Sequence, residues 1–333
     1  MDAGTWALVL AAGEGKRLRS LTTAPSGLAI PKQYCALYDG PSLLHEALDR
    51  ARSIAGNAHI CTIVAEQHRR WWQPQLHSLP RENVIVQPAN RGTAIGILLP
   101  LLHVLARDPA ATLVILPSDH HFRHEQTVAA AMAQALEQLA LHPDEILLLG
   151  LAPDGPDTEL GYVLPGASDG CGALRVERFI EKPGPVQALE LLRAGALWNV
   201  FILAARGAAL LELFRRRIPA VVDRLSAAVC ADPAATGEWR TLAALYEDLP
   251  VVDFSSDILA GQEARLRVLP VAHCGWTDLG TPRRVEQVLR STQRSQPAPC
   301  ERARQGYLSL AEQRERLSRG AASAPRAEAP AAG

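Results

Sequence analysis

Short apolar segments alternate with segments of helical period along the first half of the chain. The segment WALVLAA (6–12) is apolar throughout, which is typical of a strand buried on both faces. Further apolar runs cover 59–65, 83–88, 112–119 and 145–152, and segments of helical period cover 41–54, 93–106 and 125–141. This alternation predicts parallel strands with crossover helices in a doubly wound sheet.

The pattern changes after residue 155. The segments GYVLPG and ALRVERFIEKP indicate half-exposed strands, and LWNVFILAA indicates a buried strand. Helices are predicted between 206 and 246, followed by the strand RLRVLPV and a final loop and helix. The chain is therefore predicted to be α/β, with a Rossmann-like, doubly wound, mixed and mainly parallel sheet.

Composition divides the chain at about residue 290. No break occurs before that point, so residues 1–290 are predicted to form one catalytic domain. Residues 291–333 are rich in Ala, Arg, Pro, Ser and Gln. This composition predicts a C-terminal tail with a short helix at 301–318 and disorder at its end.

Charge and cysteine content exclude several classes of partner and compartment. The 34 basic and 35 acidic residues give a net charge of −1, so we expect no nucleic-acid or membrane partner. The apolar runs are too short to span a bilayer, and no signal peptide is visible. The six dispersed cysteines indicate reduced thiols and a cytoplasmic protein. Pairing into a homodimer is left open.

Two glycines and two basic residues mark the first candidate site. Gly13 and Gly15 follow the first predicted strand, at the edge where open α/β sheets bind ligands. Glycine permits a tight turn and close approach to a phosphate, and Arg17 and Lys32 would add positive charge. A helix cap with solvated basic residues is the simpler interpretation of GEGKR, and the nearby PKQ favours the phosphate site.

The stretch AAGEGKRL…PKQ resembles the signature of the sugar-phosphate nucleotidyltransferases. These enzymes join a nucleoside triphosphate to a sugar 1-phosphate and release pyrophosphate. The segment PKQY (31–34) also resembles the cytidylyltransferases of isoprenoid synthesis. That alternative leaves the later EKP and WN segments and the long second half unexplained.

Later segments resemble the mannose-1-phosphate guanylyltransferase branch of this family, in the same order along residues 5–290. They are QPANRGTAIGILLPL (E-P-x-x-R-N-T-A-P-A), LPSDHHF (P-A/S-D-H), LGYV (Y-G-Y-I), VERFIEKP (F-x-E-K-P), LWN (W-N-S-G) and GWTDLGTPRRV (W-x-D-x-G). The resemblance implies the nucleotide-diphospho-sugar transferase fold, which is GT-A-like. It also implies a cytoplasmic enzyme of nucleotide-sugar biosynthesis.

The resemblance implies a role for each matching residue. Asp119 and Asp278 would bind Mg²⁺, although each alone is more typical of a turn or helix cap. Arg17, Lys32 and Lys182 would hold phosphates. Gly161, Glu181 and Asn199 would bind the sugar. The implied nucleotide-binding residues are Leu10, Ala11, Ala12, Gly13, Gly15, Gln87, Gly92 and Thr93.

Three departures from the family pattern concern specificity. Gln87 stands in place of Glu, Gly92 stands in place of Asn, and Val200 follows Asn199 without the usual Ser-Gly-Met. A Gln amide offers both a donor and an acceptor, so it could also suit a pyrimidine base. Thymidylyl and uridylyl transfer to another hexose 1-phosphate therefore remains an alternative.

The expected reaction is transfer of a nucleoside monophosphate from a nucleoside triphosphate to a sugar 1-phosphate. GTP and mannose 1-phosphate are the first expectation, with GDP-mannose and pyrophosphate as products of Mg²⁺-assisted in-line displacement. A catalytically weak relative that binds nucleotide sugars and regulates a partner is the alternative from another class.

Overall fold

A computed structural model describes residues 4–293, except 24–26, 28, 37–39, 169, 171 and 232–239. The strands are β1 (Thr5–Ala11), β2 (Ile60–Ala65), β3 (Val84–Gln87), β4 (Thr112–Pro117), β5 (Ile146–Leu151), β6 (Gly161–Ser168), β7 (Leu174–Glu181), β8 (Leu197–Arg206) and β9 (Leu266–Val271). The α-helices are α1 (Arg19–Thr22), α2 (Leu43–Arg52), α3 (Arg69–Trp72), α4 (Gly92–Arg107), α5 (Glu125–Leu141), α6 (Pro185–Arg193), α7 (Gly207–Arg217), α8 (Pro219–Ala231), α9 (Arg240–Asp248) and α10 (Pro282–Gln293).

These strands form a sheet in the order β3-β2-β1-β4-β8-β5-β9-β7-β6. The strands β3, β2, β1 and β4 are mutually parallel, and β5 is parallel to β9. The strand β8 lies between β4 and β5 and is antiparallel to both. The predicted mixed, doubly wound class is confirmed. The alternation up to 152 predicted that β5 continues the parallel run, whereas β8 returns from the second half to separate the two.

Helices cover both faces of the sheet because its central strands are apolar on both sides. Trp6 and Leu8 point into a core shared with α4, α7 and α8. Ala7 and Val9 alternate with them and point into a second core shared with α2 and α5. Two buried faces explain why WALVLAA has no polar period.

The parallel strands bring their carboxyl ends to one edge of the sheet, where the loop after β1 lies near the ends of β3 and β4. No helix in the described ranges is long and apolar enough to cross a membrane. Cys35, Cys61, Cys230 and Cys274 form no disulfide. The predicted helix at 301–318 and the disordered end lie outside the described residues, and α10 continues to Gln293, past the predicted boundary at 290.

Candidate active site

A cavity of about 300 Å³ opens at the carboxyl ends of the parallel strands, the place where open α/β sheets bind ligands. Thirteen of the predicted site residues line it: Leu10, Ala12, Gly13, Arg17, Gln87, Gly92, Thr93, Asp119, Gly161, Glu181, Lys182, Asn199 and Asp278. Ala11, Gly15 and Lys32 are not among the lining residues. The fold thus collects groups that are up to 268 positions apart, from Leu10 to Asp278.

The PKQY segment (31–34) is hydrogen-bonded to the glycine loop that follows β1. Gln33 Nε2 donates to the carbonyls of Ala11 at 3.0 Å and Gly13 at 2.7 Å. Tyr34 Oη donates to the Ala11 carbonyl at 2.7 Å. Gly15 has φ 59°, and a Cβ there would lie 2.9 Å from the Lys32 amide nitrogen. The loop and PKQY therefore pack as one unit, and sequence reasoning assigned no role to Gln33.

Arg17 lies at the mouth of the cavity. Its guanidinium pairs with Glu159 at 3.0 Å, and both side chains are more than half exposed. An exposed ion pair of this kind contributes little to stability. The guanidinium can therefore exchange Glu159 for a phosphate at little cost in free energy. Glu159 lies in the loop before β6 and carried no signal in the sequence.

Asp119 and Asp278 are brought together around Lys32. The ammonium of Lys32, which is almost fully buried, lies 3.0 Å from Asp119 Oδ2 and donates to the Asp278 carbonyl at 2.7 Å. Burying an unpaired ammonium would cost several kcal/mol by order of magnitude, so this position requires the acidic partner. In this structure Lys32 therefore contacts the acidic pair from beneath the cavity wall.

The surroundings of both aspartates favour the ionised carboxylate. Burial acts to raise the pKa of Asp119, but the positive charge of Lys32 and the neighbouring His120 outweigh it and lower the pKa. Burial also opposes ionisation of Asp278, and His120 together with Arg284 lowers its pKa. Two carboxylates facing one cavity are thus available as oxygen ligands.

Arg284 of α10 positions Asp278. Its guanidinium donates to Asp278 Oδ1 and to Asp157 Oδ2. The Gly280 amide donates to the same Asp278 oxygen at 3.0 Å. Asp278 Oδ1 therefore accepts hydrogen bonds from two groups of the protein, the Arg284 guanidinium and the Gly280 amide, and these fix the orientation of the carboxylate. The sequence motif ended at W-x-D-x-G, so it gave no reason to single out Arg284.

The donor set fits Mg²⁺. Across the described ranges, no group of three or more His, Cys, Asp or Glu side chains has a metal-binding arrangement. Mg²⁺ is usually bound in proteins by one or two carboxylates together with substrate phosphates and water. Asp119 and Asp278 match that requirement in charge, in oxygen chemistry and in their position on the cavity wall.

Another part of the cavity wall carries the EKP and WN residues. Lys182 pairs with Glu181 at 3.3 Å and adopts φ 47°, in the left-handed region. Burial raises the pKa of Glu181 against the opposing charge of Lys182. A Cβ at Gly161 would lie 2.6 Å from Glu181 Oε2 and 3.5 Å from Asn199 Cβ. A side chain at position 161 would therefore displace the Glu181 carboxylate from its present position.

The segment after β3 forms a third part of the wall. Gln87 is 2% exposed, and its Oε1 accepts no hydrogen bond from a described residue. Gly92 has φ 87°, and a Cβ there would lie 2.1 Å from the Val252 carbonyl oxygen. Thr93 donates to Asp253 Oδ2 at 3.0 Å and accepts from the Phe254 amide at 2.7 Å. Gly92 is thus required by the packing of Val252, whereas Gln87 retains an unused acceptor.

Comparison with known proteins agrees with this architecture. A Thermus thermophilus structure, described as a mannose-1-phosphate geranyltransferase, matches with a TM-score of 0.73 at 28% identity, over 88% of this chain and 80% of that one. A UDP-glucose pyrophosphorylase solved with UDP-glucose shares the fold, with a TM-score of 0.55 at 15% identity, over 88% of this chain and 99% of that one. The fold is therefore that of the nucleotide-diphospho-sugar transferases.

The family model described as nucleotidyl transferase matches residues 6–295. XanB, a xanthan biosynthesis protein of Xanthomonas campestris pv. campestris (strain B100), is 32% identical over 219 residues, covering 65% of this chain and 45% of XanB. The mannose-1-phosphate guanylyltransferase of Escherichia coli (strain K12) is 28% identical over 290 residues, covering 82% of this chain and 57% of that enzyme. The chain spans about half the length of these curated relatives. It belongs to the nucleotidyl transferase family.

Proposed function

We propose that the protein transfers a nucleoside monophosphate from a nucleoside triphosphate to a sugar 1-phosphate and releases pyrophosphate. GTP and mannose 1-phosphate are the proposed substrates, and GDP-mannose is the proposed product. The observation that carries the proposal is a single cavity lined by the glycine loop, by the Asp119–Asp278 pair and by the Glu181–Lys182–Asn199 group. These three parts suit a triphosphate, a reaction centre and a sugar phosphate.

The proposed chemistry is in-line displacement at the α-phosphorus. A phosphate oxygen of the sugar 1-phosphate forms the new bond to that phosphorus, and the bond to the β-phosphate oxygen breaks. The attacking oxygen is already anionic, so no side chain needs to remove a proton. The residues therefore act by positioning the substrates and by neutralising charge.

Each charged side chain has a role in this scheme. Lys182 holds the phosphate of the attacking sugar, and Arg17 binds the β- and γ-phosphates after leaving Glu159. Lys32 lies beneath the cavity wall, so it balances the charge of Asp119 and does not contact the leaving pyrophosphate directly. Mg²⁺, held by Asp119 and Asp278, would supply further neutralisation of phosphate charge. The loop from Leu10 to Gly13 and Thr93 would hold the base and ribose.

Gln87 supports a base with an N–H donor facing its buried acceptor. A buried carbonyl without a partner costs free energy, which a ligand donor would recover. Guanine presents N1–H and N2–H₂ at one edge and meets this need. Thymine and uracil present N3–H, so thymidylyl or uridylyl transfer to another hexose 1-phosphate is the second candidate function.

The test is pyrophosphate release with Mg²⁺, with GTP, dTTP, UTP, CTP and ATP each crossed with mannose 1-phosphate and glucose 1-phosphate. Highest turnover with GTP and mannose 1-phosphate is the expected result. Preference for dTTP or UTP would move the assignment to the second candidate. Preference for CTP without sugar dependence would support the cytidylyltransferase alternative. Absence of turnover together with tight binding of a nucleotide sugar would support the regulatory alternative.

A further inference from the structure

The strand β8 is interrupted by a bulge next to Asn199. Leu148 of β5 is opposite Leu203, and Gly150 is opposite Asn199, so Leu149 alone faces the three residues 200–202 of β8. A regular antiparallel pair sets one residue against one. The strand β8 therefore carries two extra residues here. Bulges beside ligand sites serve to redirect a side chain.

The residue at the centre of the bulge is Phe201. Its φ is 56°, in the left-handed region that bulky side chains avoid. Its amide donates to Asn199 Oδ1 at 3.1 Å, and its ring lies edge-on to Phe254 with 6.1 Å between ring centroids. Phe201 is half-buried and lines the cavity. Such strain persists only where the surroundings impose it, and it concentrates at functional sites.

The residue type at position 201 changes the shape of the cavity. The W-N-S-G pattern that residues 198–199 resemble has glycine at position 201. Glycine adopts positive φ without strain and leaves space beside the Asn side chain. Phenylalanine instead adds an apolar ring at the cavity wall, packed against Phe254 and two residues from Asn199. A substrate hydroxyl placed against the ring would lose its hydrogen bonds to water without replacement.

We propose that Phe201 is a specificity-determining residue that forms an apolar wall beside Asn199. The wall selects sugar 1-phosphates that present a deoxy carbon to it, against sugars that present a hydroxyl at the same position. This inference rests on the proposed function, because it takes the surroundings of Asn199 as the sugar subsite. It narrows the preferred sugar from mannose 1-phosphate to a deoxy hexose 1-phosphate.

The experiment compares mannose 1-phosphate and glucose 1-phosphate with their 2-deoxy and 6-deoxy counterparts. Turnover is measured with the preferred nucleotide, and binding of each sugar phosphate is measured by ligand-observed NMR. The variants are Phe201→Gly, which opens the wall and removes the backbone strain, and Phe201→Leu, which keeps an apolar side chain. Thermal unfolding of each variant reports whether the fold is retained.

The wild-type protein is expected to favour one deoxy sugar over its hydroxylated counterpart by about tenfold or more, the range in which apolar pockets reject an added hydroxyl. Phe201→Gly is expected to remove most of that ratio, and Phe201→Leu to preserve it. The KM for the nucleotide should change less than the KM for the sugar phosphate in both variants.

The outcomes separate the inference from the function on which it rests. Turnover in which Phe201→Gly affects deoxy and hydroxylated sugars equally overturns the inference and leaves the proposed function standing. Absence of turnover, with a binding preference that Phe201→Gly removes, overturns the proposed reaction and supports the wall. Absence of both turnover and any binding preference overturns both.

Discussion

The proposed reaction centre and the proposed base-binding wall of the cavity differ in how their polar groups are satisfied. Lys32 contacts Asp119 and the Asp278 carbonyl, and Arg284 contacts the Asp278 carboxylate. At the base-binding wall, Gln87 has a buried acceptor that no described residue satisfies. The first region is satisfied within the protein, and the second retains a buried acceptor without a described partner.

The difference follows from the cost of burying each kind of group. An isolated buried charge costs far more than an isolated buried amide, so the charged groups must be paired within the protein. The buried amide can remain without a hydrogen-bond partner in the free protein, because leaving it unsatisfied costs of the order of 1–3 kcal/mol. Charge is therefore organised by the fold, and in the proposed function a substrate group would satisfy the remaining amide.

The largest effect is expected from removing a charge at the reaction centre. Asp119→Asn leaves Lys32 without its carboxylate partner and removes one of the two predicted Mg²⁺ ligands. Turnover should fall by at least about a hundredfold, the scale of losing one preorganised electrostatic group. Pyrophosphate release across a range of Mg²⁺ concentrations measures this. Asp49→Asn, at an exposed ion pair with Arg52, is the control, and near-normal turnover of Asp119→Asn would remove that residue from the centre.

A smaller loss is expected when the orientation of Asp278 is disturbed. Arg284→Gln removes the guanidinium that bridges Asp278 and Asp157. Changes in groups that orient metal ligands typically cost about 10–100-fold in activity or metal affinity. The Mg²⁺ concentration for half-maximal rate should rise, and Mn²⁺ binding followed by electron paramagnetic resonance should weaken. Arg283→Gln, at the exposed neighbouring position, is the matched control; an equal effect there would refute the positioning role.

Substitution of Lys182 tests the proposed sugar-phosphate contact. Lys182→Ala should raise the KM for sugar 1-phosphate by roughly tenfold, the order expected for loss of one charged contact, with little change in the KM for nucleotide. Lys182→Gly accepts the φ of 47° without strain, so it separates loss of charge from backbone effects. The same KM shift in both variants indicates charge. Equal shifts for sugar phosphate and nucleotide would show that the role is misassigned.

Removing the hydrogen bonds from Gln33 and Tyr34 to the glycine loop should affect stability and nucleotide binding together. Gln33→Leu leaves the Ala11 and Gly13 carbonyls without one donor and should lower the free energy of unfolding by about 1–3 kcal/mol. Tyr34→Phe removes one bond to a carbonyl that keeps its second donor, so the loss should be about 1 kcal/mol or less. Denaturant unfolding measures both. If the KM for nucleotide is unchanged in Gln33→Leu, the hydrogen bonds of Gln33 contribute to folding only.

The smallest effect is expected in the pH dependence of stability. Burial raises the pKa of Glu181 in the folded protein, so the folded state holds this proton more tightly than the unfolded state. The contribution of Glu181 to stability is then largest below the unfolded pKa and is lost as pH rises through the folded pKa. Glu181→Gln should unfold at a higher temperature than wild type at neutral pH. Glu177→Gln, exposed on the same strand, is the control, and an identical pH profile for Glu181→Gln and wild type would refute the shift.

Sequence reasoning located the elements well where the period was long or wholly apolar. The helix predicted at 125–141 is α5, and the strand predicted at 112–119 is β4 with two further residues. It also identified residues on three walls of the cavity, because each follows a strand end or belongs to a short motif. Four residues were missed: Gln33, Glu159, Phe201 and Arg284. The contacts of Gln33, Glu159 and Arg284 join distant segments and leave no local pattern. The proposed role of Phe201 had a signal in the departure from W-N-S-G, but its position in the cavity did not.

The sequence by itself determined the fold class, the family and the residue types available for chemistry, because these depend on local period and on short motifs. Only the tertiary structure decided that β8 separates the two parallel halves of the sheet and that Lys32 contacts both aspartates. It alone placed Phe201 in a left-handed bulge beside Asn199. Strand pairing and the burial of charge are settled by the free energy of the whole chain, in which distant segments must satisfy one another.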